Sequence, residues 1–122
     1  MLNSVSHVST STAVSTTNNT DTTLCDTGSL DPGTYILKGI ANFESNSTGH
    51  RRLFFATSNT GSAVDRFARA YAAAASDSAT IVQVEYMATI TEATTFYLRA
   101  RQTSGGTLSV DQGGIQVIKL HA

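Results

Sequence analysis

The chain has 122 residues, with 8 basic and 9 acidic side chains and a formal net charge of −1. This length fits a single domain, and so small a net charge excludes a typical nucleic-acid binder, whose affinity depends on many phosphate contacts. Threonine and serine number 19 and 14. Threonine favours strands, and both residues are at best neutral inside helices, so the composition predicts an all-β protein.

The first 22 residues form a stretch rich in Ser, Thr and Asn. We interpret residues 1–22 as a lead-in or an edge strand, followed by one domain over residues 23–122. The stretch lacks the basic and apolar regions of a signal peptide, and no apolar run approaches the roughly 18 residues of a membrane span. We therefore expect a protein made in the cytoplasm, with no membrane insertion.

Strand and turn signals alternate along the first half of the domain. A strand over Thr22–Ser29 is followed by a turn at Leu30-Asp31-Pro32-Gly33, where proline presets φ and glycine accepts positive φ. Gly33–Phe43 then predicts a strand with apolar side chains on both faces. After a loop over 44–50, Arg51–Thr57 predicts the next strand.

Residues 64–75 carry two patterns. Val64, Phe67 and Tyr71 have helical spacing. The segment is flanked on both sides by strands and short turns, which favours a strand instead. We prefer the strand and keep the helix as the alternative.

The second half of the domain predicts more strands. Thr80–Thr91 and Thr95–Arg101 alternate apolar and polar side chains, as in sheets with one buried face. Ser104-Gly105-Gly106 predicts a hairpin turn. The final strands are predicted at Thr107–Val110 and Ile115–Leu120, with a turn over 111–114. Eight or nine short strands favour a sandwich or a barrel.

Four segments recur in the same order in a known family: LDPGTYILKGIANF (30–43), SNSTGHRRLFFATS (45–58), TITEATTFYLRARQTSGGTLSV (89–110) and IQVIKL (115–120). In these segments the chain resembles the tumour-necrosis-factor-like jelly roll, the globular-head fold of complement. The versions at phage tail-fibre tips and in bacterial collagen-like surface proteins are the most similar. The resemblance implies an all-β, two-sheet antiparallel jelly-roll sandwich that forms a homotrimer and binds through exposed loops or clefts between subunits.

The predicted strands independently favour association. Several carry apolar residues on both faces, whereas a monomeric sandwich hides only one face of each sheet. A second apolar face is an association surface, and a threefold interface would bury it. The residues that we expect at this interface are Ile36, Ile40, Phe54, Tyr97 and Ile118.

Arginines on two predicted strands are the main candidates for ligand binding, because guanidinium groups suit carboxylates and phosphates. The alternative is that they are solvated strand residues, or form ion pairs between subunits with Glu85, Glu92 or Asp65. The predicted ligand-binding residues are Asn46, His50, Arg51, Arg52, Tyr97, Arg99 and Arg101.

The sequence carries no catalytic or metal-binding motif. There is no G-x-S-x-G serine and no acid pair at glycosidase spacing, and His7, His50 and His121 lack zinc-site spacing. We expect no enzyme, no cofactor and no metal, although His50 or His121 could meet its symmetry copies on a threefold axis. Cys25 is alone, and we expect it to be a buried apolar side chain.

The leading hypothesis is a phage structural protein of the virion: a trimeric fibre-tip or receptor-binding domain that contacts a host surface glycan. One alternative is a trimerisation knob, or a capsid or head-fibre decoration domain, without a ligand of its own. Another is a small glycan-active enzyme. The expected partners are further copies of the chain, other virion proteins and, for the first hypothesis, a host cell-surface saccharide.

Overall fold

The computed structural model describes residues 5–75 and 78–120, with side chains from residue 13 onward. Within these residues the chain forms eight strands and one short 3₁₀ turn at Arg66–Ala68. The strands are β1 (Val5–Thr16), β2 (Thr22–Leu30), β3 (Gly33–Phe43), β4 (His50–Ala56), β5 (Arg69–Ala73), β6 (Thr80–Ile90), β7 (Thr94–Gln102) and β8 (Leu108–Leu120).

The strands form two four-stranded sheets in which every neighbouring pair is antiparallel. The first sheet has the order β1-β8-β3-β6, and the second has the order β2-β7-β4-β5. Successive strands therefore pass from one sheet to the other, except that β4 and β5 are neighbours. This is the arrangement of an eight-stranded jelly roll, and it confirms the predicted all-β, two-sheet antiparallel sandwich.

The core lies between the sheets and follows from the alternation within each strand. Leu37 of β3 and Leu53 of β4 are fully buried, as is Leu98 of β7. Side chains of the opposite sheet lie close to Gly39 of β3, where an added Cβ would be 2.6 Å from the Leu98 side chain and 3.1 Å from that of Phe55. A glycine on the inner face of β3 thus makes room for the large side chains of the opposite sheet.

Residues 64–75 combine both predicted patterns. Asp65 caps the 3₁₀ turn, because its carboxylate accepts a 2.7 Å hydrogen bond from the Phe67 N–H. The 3₁₀ turn ends after three residues, because Phe67 is 70% exposed and does not pack against the core. The chain then enters β5, which pairs with β4.

The predicted turn over 111–114 is wrong, because β8 runs unbroken through it. Gly114 pairs with Thr10 of β1 on one side and with Ile40 of β3 on the other. Two neighbouring strands supply partners for its backbone, so the glycines continue the strand instead of ending it. The irregularity is a bulge at Asp111, where the register with β3 shifts between Asn42 and Phe43.

Candidate functional surfaces

The outer face of the second sheet is built from arginine and aromatic side chains. All six arginines lie in this sheet or in the 3₁₀ turn, while both lysines lie in the first sheet. In one row across the strands, Arg99 of β7 lies opposite Phe54 of β4; in the next row, Arg101 lies opposite Arg52, and Arg52 lies opposite Tyr71 of β5. Strand alternation places these side chains on the outer face, and the register between the strands brings them together.

Arg99 is used for structure. Its guanidinium donates to the Thr23 hydroxyl at 2.9 Å, to the Gly61 carbonyl at 2.6 Å and to the Asp21 carbonyl at 3.3 Å. The residue is 7% exposed. Arg99 therefore ties β2 and the loop after β4 onto the outer face of the sheet, and its donors are not available to a ligand.

Arg101 clamps the turn between β1 and β2. It donates to the Asn19 side-chain and backbone oxygens at 2.9 and 2.8 Å, and it forms a 3.3 Å ion pair with Asp21. The alternative that Arg101 forms an ion pair with an acid of another subunit is not needed to account for its charge, because Asp21 of the same chain pairs with it.

Arg51 points inward and is fully buried. It donates to the backbone carbonyls of Asn46, Thr48 and His50 at 3.0–3.1 Å, which closes the 44–50 loop around its guanidinium. Burial lowers the pKa of Arg51 below its usual value. The prediction that Arg51 binds a ligand is therefore wrong, because its guanidinium is buried and holds the 44–50 loop together.

Gly49 sets the shape of that same loop. Its φ is +75°, and a Cβ at this position would overlap the Thr103 carbonyl oxygen. The close approach lets the Thr103 N–H donate to the His50 carbonyl at 3.1 Å. Asn46 also serves the loop, because its side-chain oxygen accepts from the Thr48 N–H at 2.9 Å.

Phe54 is the second correction. It was expected to face another subunit, but it is fully buried within the single chain. The guanidinium carbons of Arg52 and Arg99 lie 4.8 and 6.0 Å from the centre of its ring. Two arginines thus cover an outward-facing phenylalanine by cation–π contact.

Arg52 differs from the other three arginines of β4 and β7. Its guanidinium stacks between Phe54 and Tyr71, at 4.8 and 5.7 Å from their ring centres. No residue in the described part of the chain accepts a hydrogen bond from it or pairs with its charge, and its Nε is buried without a partner. Of the four predicted arginines, Arg52 alone has terminal guanidinium nitrogens without an acceptor or an acid partner in the described part of the chain.

Two aromatic side chains border Arg52. Tyr71 is 54% exposed, and its ring centre lies 5.8 Å from that of the exposed His50. The His50 Nδ1 lies 3.2 Å from the Thr103 hydroxyl. The structure therefore brings His50 and Arg52 together with Tyr71, which was not predicted as a site residue. The signal in the sequence was the i, i+2 pair Arg69/Tyr71, which the competing helical spacing obscured.

Tyr97 lies elsewhere on this face, opposite Asp26 of β2 and Ala56 of β4, and is half-buried. Gln102 is a structural residue that the sequence did not reveal. It is fully buried, and its amide holds the 103–107 hairpin by donating to the Gly106 carbonyl at 2.8 Å and accepting from the Ser104 N–H at 2.7 Å.

The outer face of the first sheet has a different character. One row across its strands consists of Ile118, Ile36 and Met87; the next consists of Gln116, Lys38 and Glu85, with a 3.5 Å ion pair between the last two. The apolar side chains on this face are open to solvent to different degrees. Ile36 and Ile118 are partly buried, whereas Ile40, Ile81 and Met87 are 43%, 59% and 61% exposed.

A shallow depression of about 750 Å³ crosses the middle of this face. Ile40, Lys38 and Gln116 border it, and its floor includes Gly114. Because Gly114 lies opposite Ile40 and carries no side chain, the sheet is open at this point where a larger residue would fill it.

A smaller open cleft lies beside Tyr86 of β6 and Val64. Partial burial raises the pKa of the Tyr86 hydroxyl, and the negative charge of Asp65 raises it further. Neither effect supplies a reactive group at neutral pH.

No group of three or more His, Cys, Asp or Glu side chains that could hold a metal is found in the described part of the chain. His121 and the His7 side chain lie outside the described residues. Cys25 is buried. Over 5–75 and 78–120, no helix is long and apolar enough to cross a membrane.

No protein-family model and no curated protein matches the chain. Solved structures of infectious bursal disease virus particles do. The crystal structure of its T13 viral particle aligns with a TM-score of 0.58 and 13% identity over 95% of this chain and 31% of that chain. The VP2 subviral particle aligns with a TM-score of 0.56 and 12% identity over 97% and 32%, and the Gx strain with 0.55 and 14% over 98% and 32%.

These alignments establish a shared fold. The chain spans about a third of the length of the virus-particle chains that it matches. Nearly all of the present sandwich is included, so the jelly roll corresponds to one portion of each larger chain.

Proposed function

We propose that this protein is a viral structural protein of the virion, and that its jelly roll assembles with further copies through the outer face of the first sheet. The single observation that carries the proposal is the exposure of Ile40, Ile81 and Met87 on one continuous sheet face. These side chains cannot pack in the core, because the inner face of the same strands already fills it. Large exposed apolar groups on one face are typical of an interaction surface.

The shared fold with virus-particle chains supports this class of function. Those chains are reported as parts of viral particles, in which many copies associate. The proposal carries the same kind of association to this chain, and assigns it no catalytic step.

We further propose that the assembly is a homotrimer with Ile36, Ile40 and Ile118 at the interface. The resemblance to tumour-necrosis-factor-like jelly rolls of fibre tips supports the threefold arrangement. Ile36 and Ile118 lie opposite each other on neighbouring strands, so one interface would bury both. Phe54 is not part of the proposed interface, because it is already buried within its own chain. Tyr97 is not part of it either, because it lies on the second sheet.

Two roles within a virion follow from the two faces. A receptor-binding tip is favoured by Arg52, whose open guanidinium lies on the face away from the proposed interface. A capsid or decoration domain is favoured by the likeness to virus-particle chains. In the first role the second sheet contacts a host saccharide, and three copies raise the avidity of weak sites.

Sedimentation equilibrium of the purified protein over a wide concentration range tests the assembly. The expected result is a mass three times that of the 12.8 kDa chain. A mass of one chain at every concentration would contradict the proposed association. A mass of two chains would contradict the homotrimer but agree with association of further copies.

A further inference from the structure

We infer that the surface formed by Arg52, Tyr71, His50 and Arg69, called here the Arg52 patch, is a binding site for a carboxylate-bearing saccharide. The inference deepens the host-contact role proposed above by naming the site and the ligand class. It does not depend on the trimer, because all four residues belong to one chain.

The hydrogen-bond donors of Arg52 are used differently from those of the other arginines of β4 and β7. A guanidinium at a partly buried position normally bonds to carbonyls or pairs with an acid, and Arg51, Arg99 and Arg101 all do so. Arg52 has no such partner among the described residues. Its Nε is shielded from solvent, so the terminal nitrogens are the donors that an incoming acceptor can reach. A charge-assisted hydrogen bond to them would supply an interaction that the described residues do not.

The orientation of the Arg52 guanidinium is set by two aromatic rings. Contact with the rings of Phe54 and Tyr71 holds the guanidinium of Arg52 in place, and Phe54 cannot move because it is fully buried. A planar guanidinium held in advance presents its parallel N–H groups to a planar carboxylate, which can accept two hydrogen bonds at once. Little side-chain entropy is then lost on binding.

A second arginine adds positive charge to the Arg52 patch. Arg69 lies opposite Phe54 and on the same face as Arg52 and Tyr71. It is exposed and, like Arg52, has no acid partner in the described part of the chain. Asp21, on the same side of the molecule, is already paired with Arg101. The patch is therefore positive in a chain whose net charge is close to zero.

The exposed ring of Tyr71 extends the recognition to a sugar. A half-exposed aromatic ring offers a flat apolar surface with a polar tip, and the apolar face of a sugar ring can lie against it. With Arg52 beside that ring and His50 at 5.8 Å, the patch combines one apolar platform with convergent polar groups, as binding sites commonly do. A saccharide whose carboxylate reaches Arg52 fits this combination.

Titration calorimetry of the full chain with three probes tests the inference. The probes are a uronic-acid oligosaccharide, a neutral oligosaccharide of the same length and a glycerol-phosphate oligomer. The uronic-acid probe should bind at least about tenfold more tightly than the neutral one. Equal binding of these two, or tighter binding of the phosphate oligomer, would overturn the assignment of a carboxylate ligand.

Four variants locate the site. Arg52→Gln should remove the preference for the acidic sugar, and Arg52→Lys should weaken it, since an ammonium lacks the paired donors. Tyr71→Ser, at an exposed position, should weaken both sugars. Arg66→Gln is the control, because it removes the same charge from an exposed residue outside the Arg52 patch whose guanidinium lies over the Phe67 ring, and it should change nothing.

An unchanged preference in folded Arg52→Gln would overturn the inference, as would the same loss in Arg66→Gln. Circular dichroism confirms the fold of each variant. The mass of the protein is measured in the same samples, so a monomer that binds the acidic sugar would contradict only the assembly proposal. A trimer that binds none of the probes would contradict only the Arg52 patch.

Discussion

The two sheets use their outer faces in opposite ways. On the second sheet, Arg99 donates to three acceptors in two neighbouring segments, residues 21–23 and the loop after β4, and, with Arg52, covers the ring of Phe54. On the first sheet, Ile40, Ile81 and Met87 are exposed, and only one ion pair, between Lys38 and Glu85, is formed there among the described residues. The outer face of the second sheet is largely covered by arginines of its own chain, whereas the outer face of the first sheet carries exposed apolar side chains.

This difference shows what apolar alternation can and cannot predict. Phe54 and Ile40 carry the same signal, a large apolar side chain on the outer face of a strand. Phe54 is fully buried and Ile40 is 43% exposed. The distinction comes from what covers each side chain after folding. Phe54 lies under Arg52 and the sequence-distant Arg99, whereas Ile40 has no such cover among the described residues.

Truncation of Phe54 should have the largest effect on stability. Phe54→Ala should lower the free energy of unfolding by about 3–5 kcal/mol, because it leaves a cavity under two guanidinium groups. Met87→Ala on the first sheet is the matched control and should change it by less than about 0.5 kcal/mol. Urea unfolding followed by circular dichroism at low protein concentration measures both. Similar small changes would mean that Phe54 is not covered by its own chain.

The two arginines of β7 should stabilise the outer face of the second sheet to different degrees. Arg99→Met should cost about 2–3 kcal/mol, because the three acceptors of a nearly buried guanidinium lose their donor. Arg101→Met should cost about 1 kcal/mol, because its ion pair with Asp21 is about a quarter exposed. The comparison uses the same unfolding assay. An equal or reversed order would contradict the role of Arg99 as the main clamp of this face.

The smallest expected effect is a pH dependence at Tyr86. Burial and the charge of Asp65 raise its pKa in the folded protein, so the folded state retains a proton that the unfolded state loses. This contribution to stability is complete below about pH 10, the ordinary tyrosine pKa, and is lost as the pH rises through the folded pKa. The wild type should therefore lose stability more steeply above about pH 10 than Tyr86→Phe, measured as urea midpoints.

Asp65→Asn is the intermediate case for that titration. Removing the charge should lower the pKa of Tyr86 towards its ordinary value but leave the effect of burial. Superimposable pH profiles for the wild type and Tyr86→Phe would contradict the assignment.

The fold was largely predictable from the sequence because strand alternation and turn chemistry are local. The alternating residues of β6 and the Pro32-Gly33 turn needed no knowledge of the rest of the chain. The glycines at 113 and 114 gave the wrong answer for a non-local reason: β1 and β3 pair with them from both sides and keep the strand intact.

The candidate site was less predictable. The sequence identified arginines of the right type, but their roles depend on what each guanidinium reaches after folding. Arg51 and Arg52 are adjacent, and strand alternation sends one into the core and the other outward. Tyr71 lies beside Arg52 only because β5 pairs with β4. The sequence pattern around Tyr71 was too ambiguous to predict that pairing.

The contrast between the two faces is tested most directly by one charge placed on each. Light scattering should measure the mass of Ile40→Glu, on the first sheet, and of Tyr71→Glu, on the second, at the same concentration as the wild type. We predict that Ile40→Glu falls to the mass of one chain while Tyr71→Glu keeps the mass of the assembled wild type. An assembled Ile40→Glu, or dissociation of Tyr71→Glu alone, would contradict the account.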